Sequence, residues 1–168
     1  MSDDIAEAVQ AALRHLHAAN RIAWDFDLTL VGHKAGRKMH EFIRATPQTE
    51  HLIVTFRSHG MQHAIWEDLA QETDAVNRTH FSNAFNIDDG LADAAARLRR
   101  QRERRVYAGP ESPVERAYRH WKGLVCARAG ASVLVDDRTE DVAPGCAAFG
   151  IVLVHPDVFF AANGKITS

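Results

Sequence analysis

Cysteine is scarce: Cys126 and Cys146 are the only two thiols in 168 residues. Two are too few for a disulfide framework, and both stand in apolar surroundings, which predicts buried free thiols in a reducing, cytoplasmic setting. No apolar stretch approaches the roughly 20 residues of a membrane span. The acidic start Met1-Ser2-Asp3-Asp4 lacks the basic-then-apolar layout of a secretory leader. A cytoplasmic location with no membrane partner is the expectation. Neither sign of charge dominates: the formal charge is −2, so no global field draws the chain to nucleic acid or to an anionic surface. No repeat, low-complexity segment or linker divides the sequence, and its length suits one domain, residues 1–168, around a single core. Lysine is rare as well. The four are Lys34, Lys38, Lys122 and Lys165, so Lys122 is the only one between Thr55 and Asp137.

What is present is an alternation of helical and strand-like periods. Residues 3–18 show helical spacing with Asp3 and Asp4 at the favourable end. An apolar run, Ile22 to Trp24, reads as a strand ending near Asp25. A short helix follows over about 37–44, closed by Pro47, then a strand over 51–55 and a helix over 59–72 with Ser58 as its cap. In that helix Met61, Ile65 and Leu69 share one face. A strand is expected within 79–87, a helix over 91–104, and a short strand or connection at Val106-Tyr107-Ala108. Ser112 and Glu115 form a capping-box pattern opening a helix that ends at Gly130. A strand over 132–135, a short helix from about Thr139 to Pro144 or shortly after, and a last strand over 151–154 complete the series. Such alternation predicts an α/β fold with a central, mainly parallel sheet.

Two acidic clusters stand at strand ends. Asp25 and Asp27 follow the first run, one residue apart. In extended chain they face the same side, with Phe26 turned away. Asp136 and Asp137 follow the run 131–135, and Asp141 comes next. Adjacent like charges repel, so a fold that keeps them needs a reason. A hard cation such as Mg²⁺ is one; a division between nucleophile and proton carrier is another. Ligands bind beyond the carboxyl ends of strands in open parallel sheets, so neighbouring strands here would gather four or five carboxylates at one point, with phosphate the obvious substrate group.

Asp25-x-Asp27-x-Thr29, Thr55 at the end of the next strand, Lys122 on a later helix, and Asp136-Asp137-x-x-x-Asp141 together resemble the four motifs of the haloacid dehalogenase superfamily, over about residues 21–141. The resemblance implies a Rossmann-like three-layer sandwich and a Mg²⁺-dependent phosphomonoester hydrolase. By that resemblance Asp25 is the nucleophile that becomes an aspartyl-phosphate and a metal ligand. Asp27 protonates the leaving oxygen and then activates water, and its backbone carbonyl ligates the metal. Thr55 and Lys122 hold the phosphoryl group, and Asp137, with Asp136 or Asp141, completes the metal site. Asp137 is favoured over Asp136 because its spacing to Asp141 fits the family pattern. Many relatives carry Gly where Leu28 stands, and many carry Gly in place of Asp136. The second acid, Asp27, implies phosphate chemistry, since release of a halide needs no proton. Only 25 residues separate Thr29 from Thr55, too few for a large cap domain, and 66 separate Thr55 from Lys122. A capless or nearly capless site suits substrates that cannot fit a closed chamber, such as a nucleic-acid end or a phosphoprotein, or ones gripped by a partner subunit. Among phosphorylated substrates a nucleotide or nucleic-acid end is expected first, and a phosphorylated small molecule such as a sugar phosphate, or a phosphoprotein, next.

Other features carry less. Arg57, two residues after Thr55, is a candidate to hold a second anionic group at the site's edge. The run Arg97, Arg99, Arg100, Arg102, Arg104 and Arg105 is either a solvated helix face or a phosphate-tracking patch. No aromatics accompany it, so it lacks a stacking platform. The pair His59 and His63 has helical spacing, but it lacks the glutamate and third ligand of a zinc site. Trp24, Trp66 and Trp121 read as core. Alternatives on the same fold are a phosphotransferase and a silent binding module that uses the basic run.

Overall fold

A computed structural model describes residues 3–103 and 110–161. The chain runs α1 (Asp3–Ala18), β1 (Arg21–Trp24), α2 (Gly36–Ala45), β2 (Glu50–Ser58), α3 (Gln62–Glu72), β3 (Asn83–Ile87), α4 (Asp89–Glu103), α5 (Pro113–Ala129), β4 (Val133–Val135), α6 (Thr139–Phe149), β5 (Val152–Val154) and α7 (Asp157–Ala161). The five strands among the described residues are all parallel, in the order β3-β2-β1-β4-β5. The expected α/β architecture, a Rossmann-like three-layer sandwich around a parallel sheet, is what the chain adopts.

The strand period of two sorts side chains between the layers. Ile22, Trp24, Ile53, Val133 and Val135 face one core, filled by Leu13 and Leu16 of α1, Met39, Phe42 and Ile43 of α2, Ile65 and Leu69 of α3, and Phe159 of α7. Ala23, Leu52, Val54 and Leu134 face the other, filled by Cys126 of α5 and by Val142 and Cys146 of α6. Cys126 and Cys146 are buried and free, as the sequence implies, and burial pushes the Cys126 thiol up to about 12. No helix among the described residues is long and apolar enough to cross a membrane.

Local signals explain the helix ends. Ser112 Oγ accepts from the Glu115 amide at 3.2 Å, and Glu115 Oε2 accepts from the Ser112 amide at 2.7 Å, so the capping box is complete. Gly130 closes α5 at φ 73°, a left-handed position that suits glycine.

The structure differs from the sequence reading in places. Strand β2 continues past Thr55 to Ser58, with an irregular register against β3 between those residues. Ser58 makes no side-chain cap. A 3₁₀ turn, His59–Met61, precedes α3, so Met61 lies outside the buried face and is exposed. Helix α6 runs through Pro144 to Phe149 instead of ending at or shortly after the proline. Proline has no N–H for the carbonyl four residues back, which here belongs to Glu140. Arg119 of α5 supplies the missing donor: Nη2 lies 3.1 Å from the Glu140 oxygen, and Nε lies 3.4 Å from that of Asp141. The expected segment at 106–108 lies outside the described residues.

Candidate functional site

The sheet order places β1 beside both β2 and β4, so the chain changes direction of progress at the β1/β4 boundary. That is where α/β sheets open a crevice for ligands. Trp24 pairs with Val135. The next residues, Asp25 and Asp136, therefore leave adjacent strands side by side. The Asp25 amide donates to the Val135 carbonyl at 2.8 Å, and the Asp136 amide donates to that of Val154 at 3.1 Å.

Lys122 reaches this point from α5. Its Nζ lies 2.6 Å from Asp25 Oδ1 and 2.7 Å from Asp136 Oδ2, and it sits 4.4 Å from the centroid of the Phe56 ring. Lys122 and Asp136 are fully buried and Asp25 nearly so. Burial pushes the Asp25 carboxyl up to about 7, with help from the Asp136 charge and against the pull of Lys122. Burial alone would pull the Lys122 ammonium down, but Asp25 and Asp136 together hold it above its ordinary value.

Asp137 completes the cluster. Carboxylate oxygens of Asp25, Asp136 and Asp137 lie within 4.8 Å of one another. Burial, then the Asp136 charge, raises the Asp137 carboxyl. Asp136 is already satisfied: Oδ2 accepts from Lys122, and Oδ1 accepts from the Arg138 amide at 2.8 Å. Asp137 Oδ1 is buried with no hydrogen-bond partner. Three acids face one ammonium, and one oxygen has nothing to bind. A divalent cation with a preference for oxygen fits that donor set. Asp136 and Asp137 both bring an oxygen to the cluster, and Asp137 Oδ1 is the one without a hydrogen-bond partner.

The remaining residues divide between the site and its rim. Thr55 is buried, and its Oγ1 accepts from the Arg57 amide at 3.2 Å, which leaves its hydroxyl hydrogen free to donate. Asp27 lies beyond the end of the strand that the same-side expectation assumed. Strand β1 ends at Trp24, and the chain turns through Phe26, so Asp27 is half exposed and stands outside the buried acid cluster. Its carboxylate is gripped by Arg57, which also pairs with Asp68 at 2.6 Å. Arg57 is thus not a free edge cation. Asp141 also stands apart from the cluster, because Arg138 pairs with it across the first turn of α6. In the basic run, Arg102 pairs with Glu115, and Arg99 lies 3.5 Å from Glu103, so part of its charge is spent locally. Arg104 and Arg105 lie outside the described residues.

Three contributors escape a reading of the sequence. The Thr29 hydroxyl, fully buried, accepts from the Asp137 amide at 3.3 Å and so ties the two acidic loops together. The Arg138 backbone orients Asp136. Tyr118, one turn before Lys122, stacks on Phe56 with centroids 4.2 Å apart and helps form the wall beside the ammonium. The Thr29 position in the first motif was the available signal. The roles of Arg138 and Tyr118 depend on contacts between distant segments.

Comparison with family models, with curated proteins and with solved structures gave no match.

Proposed function

We propose that this chain is a divalent-cation-dependent phosphomonoester hydrolase that works through an aspartyl-phosphate on Asp25, in the manner of the haloacid dehalogenase superfamily. The observation that carries the reading is the buried Asp25–Lys122–Asp136 cluster at the switch point of a parallel sheet, with Asp137 Oδ1 unpartnered beside it. Asp25, Asp136 and Asp137 would hold the cation, Mg²⁺ by preference for oxygen ligands. Its chemistry when bound is neutralisation of phosphoryl oxygens and carboxylates, often worth several kcal/mol.

The chain's own residues supply the rest. The Asp25 carboxylate forms a bond to phosphorus while the bond from phosphorus to the ester oxygen breaks. Lys122, already in place, offsets the negative charge that anion-on-anion attack brings together. Thr55 donates its free hydroxyl hydrogen to a phosphoryl oxygen. Asp27 gives a proton to the leaving oxygen and later takes one from the water that cleaves the acyl-phosphate, which restores Asp25 and releases phosphate.

The test is hydrolysis of a panel of phosphomonoesters with Mg²⁺. Asp25→Asn is expected to lower turnover at least about a thousandfold, and omission of the cation to abolish it. Turnover that survives Asp25→Asn removes Asp25 from the nucleophile's role.

A further inference from the structure

Asp27 has a conflict of duties. The proposed chemistry needs one of its oxygens at the leaving group, yet both are occupied. Arg57 Nε lies 3.2 Å from Oδ1 and 2.9 Å from Oδ2, and Nη2 lies 2.6 Å from Oδ1. The guanidinium is itself fixed on two other sides. Nη1 is 2.6 Å from Asp68 Oδ2 of α3, and Cζ lies 4.6 Å from the centroid of the buried Phe26 ring. The exposures are unequal: 12% for the Arg57 side chain and 53% for that of Asp27. Asp27 is the outer, movable partner, and Arg57 is the inner, anchored one. If Asp27 swings away, the guanidinium fork is uncovered and still held by Asp68.

We propose that Arg57 is a positioning residue that latches Asp27, and that a second anionic group on the substrate opens the latch by taking Asp27's place on the guanidinium. The inference rests on the proton-transfer role proposed above for Asp27. The fork of an arginine matches phosphate as well as carboxylate, with two parallel N–H···O bonds. A phosphate offers the same fork two oxygens with at least as much negative charge, and Asp27 is the partner open to water, so it is the one that can be displaced. Once released from the guanidinium, the Asp27 carboxylate takes up a proton from solvent and delivers it to the ester oxygen as the Asp25–phosphorus bond forms and the phosphorus–oxygen bond breaks, and the alcohol departs neutral. The favoured substrate class is therefore a phosphomonoester with a second phosphate within reach, as in a nucleoside 3′,5′-bisphosphate or the phosphorylated end of a nucleic-acid strand.

The experiment compares kcat/KM for adenosine 5′-monophosphate, adenosine 3′,5′-bisphosphate and a 5′-phosphorylated dinucleotide. In the wild type either two-anion substrate is expected to exceed the monophosphate by roughly tenfold or more, the scale of one charge-assisted contact. The larger of the two gains identifies a free bisphosphate or a strand end as the source. In Arg57→Gln the monophosphate is expected to gain and the two-anion substrates to lose, which brings the ratio near one. Asp68→Asn is expected to lower the ratio in the same direction. A second readout needs no turnover: in Asp25→Asn, the Arg57 Nε–H resonance is expected to shift with the bisphosphate and to stay put with the monophosphate. Equal kcat/KM for all three substrates, a preference that survives Arg57→Gln, or an Arg57 resonance indifferent to the bisphosphate overturns the proposal. Absence of hydrolysis for every ester sinks the phosphatase reading instead, and the resonance then decides the exchange by itself.

Discussion

His51 shows how one buried side chain sets a pH limit. Trp24 Nε1 can only donate, and it lies 3.1 Å from His51 Nδ1, so Nδ1 accepts and the proton sits on Nε2, 3.2 Å from Thr46 Oγ1. Burial pushes the imidazole down to about 4. The unfolded chain, with an ordinary histidine, binds the proton more readily, so this residue's contribution is intact above about pH 6.5 and falls away as pH drops toward 4. The loss approaches about 3 kcal/mol. Urea unfolding of the wild type and of His51→Gln between pH 7.5 and 4.5 checks this: the gap between the two curves is expected to narrow as pH falls. A constant gap would show that the ring does not stay neutral. Little of this was legible beforehand, because one histidine among ten gives no sign of which tryptophan will face it. Leu28 is the opposite case. The family resemblance places glycine there, and the structure gives the reason: Leu28 has φ 56°, a left-handed conformation that suits glycine and costs other residues about 1–2 kcal/mol.

At the scale of elements, the contact between α5 and α6 decides whether Lys122 is in place. A Cβ on Gly123 would lie 2.3 Å from the Gly145 carbonyl oxygen, and one on Gly145 would lie 2.7 Å from that of Arg119. Both obstacles are backbone, so neither can turn aside. Gly123→Ala is expected to destabilise the fold by about 1–3 kcal/mol and to reduce turnover by shifting the neighbouring Lys122. Gly60→Ala, where a Cβ meets nothing within 4 Å, is the control and is expected to stay within about 0.5 kcal/mol of wild type. Thermal melts of the two variants separate close approach from a general loss of glycine. The sequence revealed most elements, because apolar period, capping box and terminal glycines all act within a few residues. It misjudged α6, because proline's missing N–H is answered by an arginine more than twenty positions earlier in the chain.

For the whole molecule, the cation binding proposed for the acid cluster would be linked to folding. The three carboxylates come from the ends of β1 and β4, so an ion held between them fastens two adjacent strands of the sheet. Mg²⁺ is expected to raise the melting temperature, with about 2.7 kcal/mol gained at a hundred times the dissociation constant. Asp137→Asn is expected to shrink that gain, and calorimetry with and without Mg²⁺ and EDTA reads it directly. An unchanged melting temperature across a wide range of Mg²⁺ would count against the cluster as a cation site. The strand-end acids were legible in advance because strands in this architecture deliver their carboxyl ends to one edge. The grip of Arg57 on Asp27 was not, because it depends on how the chain turns after Trp24. The sheet order has one further consequence, for synthesis. The middle strand, β1, is made more than a hundred residues before its neighbour β4. A growing chain therefore exposes one bare edge of its central strand, with Asp25 unaccompanied, until β4 has emerged.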